Sequence, residues 1–399
     1  MLVGVVGKAN VGKSTFFKAL TLAEVEIANY PFTTIEKNEG VGFVKVLCAE
    51  NSFNVKCNPK FGYCISGWRF VPIKVIDVAG LVPGAHLGKG RGNQFLDDLR
   101  EADVLIHVVD ASGSSNEVGE PVEPGSYDPL KDIVFLEEEI DMWFMGILKK
   151  NWERFARQVK QEGKQLVREI AGQFAGLKIT EDMIKDAVKE LNLPADDATA
   201  WGDEGLKKFA SKLRQRSKPM IIAANKIDVN CAEENFKKMQ EQFPDKMIVP
   251  CSAESELALK EAAKHKLIDY IPGEDKFETL DDGKLSEKQK SALGFVKNKI
   301  LDKFGTTGVQ QVIDDAVFKL LKYIAVYPVP NSKLEDKDGN KLPDCFIVPE
   351  GCTALEFAFK VHTDIGNNFI KAVDVRTKKV VGKDAALKNN DVVEIVTKK

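Results

Sequence analysis

The sequence predicts an α/β chain: a mostly parallel sheet with flanking helices, interrupted by an α-helical insert and followed by a small C-terminal α+β module. Three observations lead there. Short apolar runs recur, each ending in a polar or small residue, with helical segments between several of them. A long stretch of helical periodicity breaks that rhythm, and from about Tyr323 the pattern turns to short strands around one helix. At 399 residues the chain has room for about two to four domains.

Residues 2–6, Leu-Val-Gly-Val-Val, are apolar and lead into a glycine loop, as expected of a strand buried on both faces. Similar runs stand at 73–76, 104–109, 220–224 and 247–249. In an open parallel sheet, ligand-binding loops leave such strands at their carboxyl ends. Between residues 131 and 216, apolar side chains from Ile133 to Phe174 repeat at three, four or seven residues, with no proline before Pro194. That spacing predicts one long helix, or two in series, and two shorter helical pieces follow. The stretch 273–283 is polar and reads as a linker, ahead of amphipathic helices near 285–301 and 309–321. Strands are expected at 324–329, 345–348, 369–375 and 392–396, with a helix at 353–361. The predicted division is therefore 1–130 with 217–275 as one discontinuous domain, 131–216 as its insert, 276–321 as a helical linker segment and 322–399 as the terminal module.

Composition narrows the class. With 44% hydrophobic and 29% charged residues the chain is too apolar for wholesale disorder. No apolar run approaches the roughly 18 residues that cross a bilayer, so no membrane role is expected. The first residues lack a basic segment, so no secretory signal is expected. Seven cysteines cannot staple a disulfide scaffold, and a cytoplasmic protein is the expectation. Net charge is −3, so any nucleic-acid contact must come from a local patch; residues 318–399, with 14 basic against 11 acidic, are the mildly positive end. The insert's charges read first as a solvated helical face.

Gly7-Lys8-Ala9-Asn10-Val11-Gly12-Lys13-Ser14 fits G-x-x-x-x-G-K-[ST] between a strand and a helix. Glycines let backbone N–H groups turn inward around phosphate oxygens, and the following helix aims its positive end at them. Gly7, Asn10, Val11, Gly12, Lys13, Ser14 and Thr15 are therefore nucleotide-binding candidates. Lys13 reaches the β- and γ-phosphates, and Ser14 can ligate Mg²⁺. Asp77-Val78-Ala79-Gly80 closes an apolar strand, where Asp77 can hold the Mg²⁺ shell and the Gly80 amide can sense the γ-phosphate. Between the two motifs Tyr30-Pro31-Phe32-Thr33-Thr34 supplies hydroxyls as a switch segment requires, with Thr34 the chosen metal ligand and Thr33 the fallback. Lys13, Thr34 and Gly80 are the expected catalytic set.

Asn225-Lys226-Ile227-Asp228 follows the strand at 220–224. A carboxylate accepts hydrogen bonds from guanine N1–H and its exocyclic amine, whereas adenine offers an acceptor at N1 and no 2-amino group. Asp228 thus selects guanine. Asn225 can bond the base or pin the phosphate loop, and the Lys226 stem can cover the base plane. In Cys251-Ser252-Ala253-Glu254, the small residues Ser252 and Ala253 let backbone amides approach guanine O6.

With these motifs in order the chain resembles a translation-factor-class GTPase, and more narrowly the Obg family. The likeness extends through Asp77-Val78-Ala79-Gly80-Leu81-Val82-Pro83-Gly84-Ala85 and Gly88-Lys89-Gly90-Arg91-Gly92-Asn93-Gln94-Phe95-Leu96. The helical insert resembles the YchF-related branch, and Val348-Pro349-Glu350-Gly351-Cys352-Thr353-Ala354-Leu355-Glu356-Phe357-Ala358 is similar to a TGS domain, a β-grasp fold. The resemblance implies a P-loop GTPase that hydrolyses GTP to GDP with Mg²⁺ and acts as a switch on the ribosome or structured RNA; a monomer is expected. A nucleotide-dependent binding module with incidental hydrolysis is the alternative. Some YchF-related proteins lack the base-reading Asp and resemble ATPases; here the motif is intact, which favours GTP.

Leu81 stands where Ras-like GTPases carry a water-orienting glutamine, so hydrolysis by that route should be slow. Asn10 resembles the phosphate-loop asparagine of potassium-activated GTPases, which would add K⁺ as a cofactor; its other reading is a loop-stabilising amide. His86 or an external partner could complete the site instead. Cys48, Cys57 and Cys64 are spaced x8 then x6, which is not a strong zinc signature, and no fourth ligand is apparent nearby. A hairpin with free thiols is expected there, ahead of a disulfide, with metal last.

Overall fold

A computed structural model describes residues 1–22, 38–78, 80, 84, 92–330 and 333–398. In chain order its strands are β1 (Leu2–Val6), β2 (Glu39–Leu47), β3 (Tyr63–Ile65), β4 (Trp68–Asp77), β5 (Val104–Asp110), β6 (Met220–Asn225) and β7 (Ile248–Pro250). They continue with β8 (Ile268–Tyr270), β9 (Phe277–Thr279), β10 (Tyr323–Val329), β11 (Phe346–Pro349), β12 (Phe369–Asp374), β13 (Val380–Val381) and β14 (Asp391–Thr397). The chain divides into two compact units, 1–17 with 75–254 and 18–74 with 255–399.

In the first unit β1, β5, β6 and β7 lie side by side and parallel, Val3 opposite Val104, Asp110 opposite Asn225 and Ala224 opposite Pro250. The end of β4 flanks β1, with the Val78 amide donating to the Val5 carbonyl at 3.1 Å. Every residue of β1 and β5 is buried, the signature of strands covered on both faces. This register places the C-terminal ends of β1, β4, β5 and β6 along one edge, where the loops carrying the motifs emerge. One apolar core runs from Leu2 and Leu105 through Phe95 and Phe144 to Phe174 and Phe209 of the helices.

Those helices are more broken than the periodicity implies. In place of one long helix, or two in series, there are three: Leu130–Lys149, Trp152–Glu162 and Leu166–Gln173. Asn151 and Gly163 adopt left-handed conformations, φ +66° and +62°, and end successive helical segments while the apolar stripe carries on. Helix Gly202–Ser217 packs back on the first of them, its buried Arg214 paired with Glu137 and Asp141.

The second unit holds β2, the β3–β4 hairpin and the C-terminal sheet, in order β11-β10-β14-β12-β13. β10 runs parallel to β14 and antiparallel to β11, and helix Ala354–Val361 covers the sheet. That helix starts on a capping box in which Thr353 and Glu356 bond each other's backbone amides. This is the β-grasp pattern anticipated at 322–399. Residues 273–283 are not a plain linker: Phe277–Thr279 pairs antiparallel with Ile268–Tyr270. Asp314 accepts the Lys45 amide and Gln310 donates to the Phe43 carbonyl, fastening helix Val309–Asp314 to β2. Among the described residues no helix is long and apolar enough to cross a membrane.

Candidate functional site

The loop from Gly7 to Ser14 leaves β1 and enters the helix Lys13–Thr21, whose first turn closes with the Phe16 amide on the Gly12 carbonyl at 2.8 Å. Two glycines are dictated by packing. A Cβ on Gly7 would lie 2.6 Å from the Val108 carbonyl oxygen, and one on Gly12, where φ is +89°, would lie 2.3 Å from Asn225 Nδ2. The Lys13 ammonium donates to the Asp77 carboxylate and to the Val78 carbonyl, the latter at 2.8 Å. Ser14 is exposed at the helix start and Thr15 half-buried beside it. Gly80 is exposed close by; a Cβ there would come 3.8 Å from the Gly7 carbonyl oxygen. Phosphate loop and Asp77–Gly80 thus share one place.

These residues fit a magnesium–nucleotide phosphate. The cradle excludes side chains where backbone must approach a ligand. Its helix N-terminus favours anions, and Ser14 with Asp77 offers the hard oxygens that Mg²⁺ takes.

At the other end, Asn225 joins two motifs. Its Nδ2 donates to the Val11 carbonyl at 2.9 Å and its Oδ1 accepts the Ala253 amide at 3.0 Å. Of its two sequence readings, the loop-pinning one is what the structure displays. The Ala253 amide, expected to face the base, is engaged by Asn225; Ser252 is fully buried beside it. Lys226 is left-handed, φ +60°, and its ammonium reaches the Asn10 carbonyl at 2.9 Å, Asp110 at 2.8 Å and Ser114 Oγ at 3.2 Å. Asp228 is half-buried, and its carboxylate takes no hydrogen bond or ion pair from the described residues. Asn10 Nδ2 donates to the Gly119 carbonyl at 2.8 Å, the loop-stabilising arrangement.

Three groups here were not foreseen. Asp110, buried at the end of β5, accepts Ser112 N–H and the hydroxyls of Ser112, Ser114 and Ser115 besides the Lys226 ammonium. Burial alone would raise its pKa, but Lys226 and the serine hydroxyls outweigh that and hold it below the usual carboxylate range. Lys8, buried in the phosphate loop, bonds Asp132 and the Ser115 carbonyl, each at 3.0 Å, and lies over the Tyr127 ring. Burial dominates at Asp132 and pushes its carboxyl up despite Lys8. Glu139 accepts the Gly84 amide at 2.8 Å, joining Gly84 to the helical insert. The acid at a strand end followed by spaced serines was the available signal for Asp110; the other two depend on tertiary contacts alone.

Comparison with known proteins gives this arrangement its setting. Residues 2–138 match the family described as 50S ribosome-binding GTPase, 223–331 the Obg-like GTPase YGR210-like G4 motif-containing domain, and 325–397 the TGS domain. The chain is 49% identical to an uncharacterized GTP-binding protein of Methanocaldococcus jannaschii over 99% of both chains. The chain belongs to the Obg-like GTPase family. A crystal structure of a GTP-binding protein from Pyrococcus horikoshii OT3, 40% identical, covers 100% of both chains with a TM-score of 0.79. The ribosome-binding ATPase YchF of Buchnera aphidicola is 29% identical over 92% of this chain and 86% of its own. In this member of the Obg-like family, Thr33, Thr34, Leu81 and His86 lie outside the described residues.

Proposed function

We propose that this chain hydrolyses GTP to GDP and phosphate and uses the nucleotide state as a switch on the ribosome or structured RNA. The observation that carries the base choice is Asp228: Asn225 and Lys226 are committed to the phosphate loop, while the acid beside them keeps its acceptors available for guanine N1–H and the 2-amino group. On this reading Ser14, Asp77 and Thr34 would hold Mg²⁺, which would supply positive charge against the charge that develops on transfer. Lys13 exchanges its Asp77 partner for phosphate oxygens, a point charge moving from carboxylate to nucleotide as the carboxylate turns to the cation. Gly80 brings its amide toward the γ-phosphate, and loss of that contact on hydrolysis releases the segment that Glu139 ties to the helical insert. Leu81 cannot orient water, so turnover awaits a partner or K⁺ at Asn10.

The partner assignment draws on the family names, which include 50S ribosome-binding GTPase and ribosome-binding ATPase, and on the TGS domain. The test is competition of GDP and ADP for the site, then co-sedimentation with ribosomal particles in GDP and in a non-hydrolysable GTP analogue. We expect GDP to win by at least a hundredfold and pelleting to depend on the nucleotide. Preference for ADP establishes the ATPase reading instead, and pelleting indifferent to nucleotide establishes a binding module. Equal turnover in KCl and NaCl removes K⁺.

A further inference from the structure

The hairpin after β2 gathers a cluster that the nucleotide site does not use. Cys48 follows β2, Glu50 opens the short helix Glu50–Phe53, Cys57 lies in the next loop and Cys64 in β3. Their three sulfurs and a carboxylate oxygen all lie within 4.8 Å of one another. Cys48 Sγ is 3.6 Å from Cys57 Sγ, and Cys64 Sγ is 3.3 Å from Glu50 Oε1. The sequence spacing alone offers no fourth donor; the fold supplies Glu50.

We propose that Cys48, Glu50, Cys57 and Cys64 form a closed, structural zinc site. Zinc–sulfur bonds of about 2.3 Å in a tetrahedron set the sulfurs about 3.8 Å apart, close to the 3.6 Å between Cys48 and Cys57, whereas a disulfide needs about 2.05 Å. A thiolate-rich, four-donor set selects zinc over Mg²⁺ or Ca²⁺. Glu50 is already oriented: Oε2 accepts the Cys57 amide at 2.8 Å, which leaves Oε1 directed at Cys64. Among the described residues Oε1 has only that thiol, a weak donor, so it has acceptor capacity left for a cation. Each neutral thiol that ligates releases its proton.

The site has a structural task to perform. Residues 48–62 contain one short helix and turns, too little to bury a core of their own, yet the C-terminal module seats on them. The Asn58 and Lys60 amides donate to the Lys341 and Pro343 carbonyls, both at 2.9 Å, and Arg69 from β4 bonds the Leu342 and Pro343 carbonyls. Cys48, Ala49 and Cys57 share one core with Tyr327, Leu334 and Leu342. Zinc would fix the shape of that platform.

The test uses the full chain purified without chelator. Elemental analysis after gel filtration is expected to find about one zinc per chain. The chelator-stripped chain should take up Co²⁺ with a thiolate-to-cobalt charge-transfer band that zinc abolishes. Cys64→Ser should lose stoichiometric zinc and Cys352→Ser should keep it. Glu50→Gln retains all three sulfurs and guards against a folding defect; it should weaken zinc binding about tenfold or more. The proposal is overturned if the stripped chain binds neither zinc nor cobalt, if the intact mass is two hydrogens light with no metal, or if Glu50→Gln and Cys64→Ser hold zinc as tightly as the parent.

Discussion

Asn225→Ala removes one amide that serves two motifs. Asn225 is 3% exposed, donating to the Val11 carbonyl and accepting the Ala253 amide. Truncation leaves a buried C=O and a buried N–H without partners, at about 1–3 kcal/mol each. Two such groups give about 2–6 kcal/mol, and water entering the space recovers part, so a loss of about 2–4 kcal/mol is expected. The amide also lies against Gly12, so the same change removes the support that shapes the loop for phosphate. If the whole loss falls on the liganded form, the GDP dissociation constant rises about 30- to 700-fold at 1.4 kcal/mol per decade. Titration with a fluorescent GDP analogue measures the affinity, and melting with and without GDP separates loop shape from global stability. A variant that melts like the parent and binds GDP within threefold of it would refute the claim that this clasp organises the site.

Asp228→Asn puts an NH2 donor where one of two acceptors stood and leaves the other bond without its charge, where charge-assisted bonds run about 1.5–3 kcal/mol each, so GDP affinity should drop by about a hundredfold while melting stays within about 0.5 kcal/mol; an unchanged guanine-over-adenine preference in competition assays sinks the base assignment. His107, buried in β5, has its pKa lowered to about 3 by burial and by the charges of Lys246 and Lys8. Its folded value lies below the ordinary 6.5, so the stability it contributes is present above pH 6.5 and lost as pH falls, by up to about 1.4 kcal/mol per unit; His107→Leu should flatten the urea midpoint between pH 6.5 and 4.5. Asp314 is displaced the other way, pushed up to about 8 by burial. Its stabilising neutral form is lost as pH rises from about 4 through 8, so the advantage of Asp314→Asn over the parent in urea midpoint should grow from pH 5 to pH 8.5, and a constant difference contradicts the assignment.

The parallel strands and their motifs were legible because burial on both faces leaves an unbroken apolar run that a functional residue ends. β2 was not, since Glu39-Gly40-Val41-Gly42-Phe43 dilutes its apolar content with two glycines and only part of the strand is buried. The helical insert showed its apolar stripe but not its breaks: Asn151 and Gly163 turn the backbone without a proline to announce it. The 277–279 strand stayed hidden because it is mostly exposed and polar. The Cys48–Cys64 cluster needed the fold, because its fourth donor is a glutamate whose orientation comes from one backbone amide. Asp110 was overlooked for a related reason: a single acid becomes a hub only when Lys226, 116 residues later, is brought to it.

The way Asn225 and Lys226 are spent constrains how base choice can vary. They hold the Val11 and Asn10 carbonyls, consecutive positions of the phosphate loop, and Lys226 adds Asp110 behind them. Altering either disturbs phosphate and base binding together. Asp228 alone of the motif's polar side chains has no partner among the described residues, so under the proposed base assignment a substitution there would change the hydrogen-bond pattern offered to a purine while the cradle keeps its shape. On the proposed base assignment, a single phosphate loop would serve either purine with the change confined to one side chain. That separation gives a physical route by which relatives named for GTP and relatives named for ATP can share one fold.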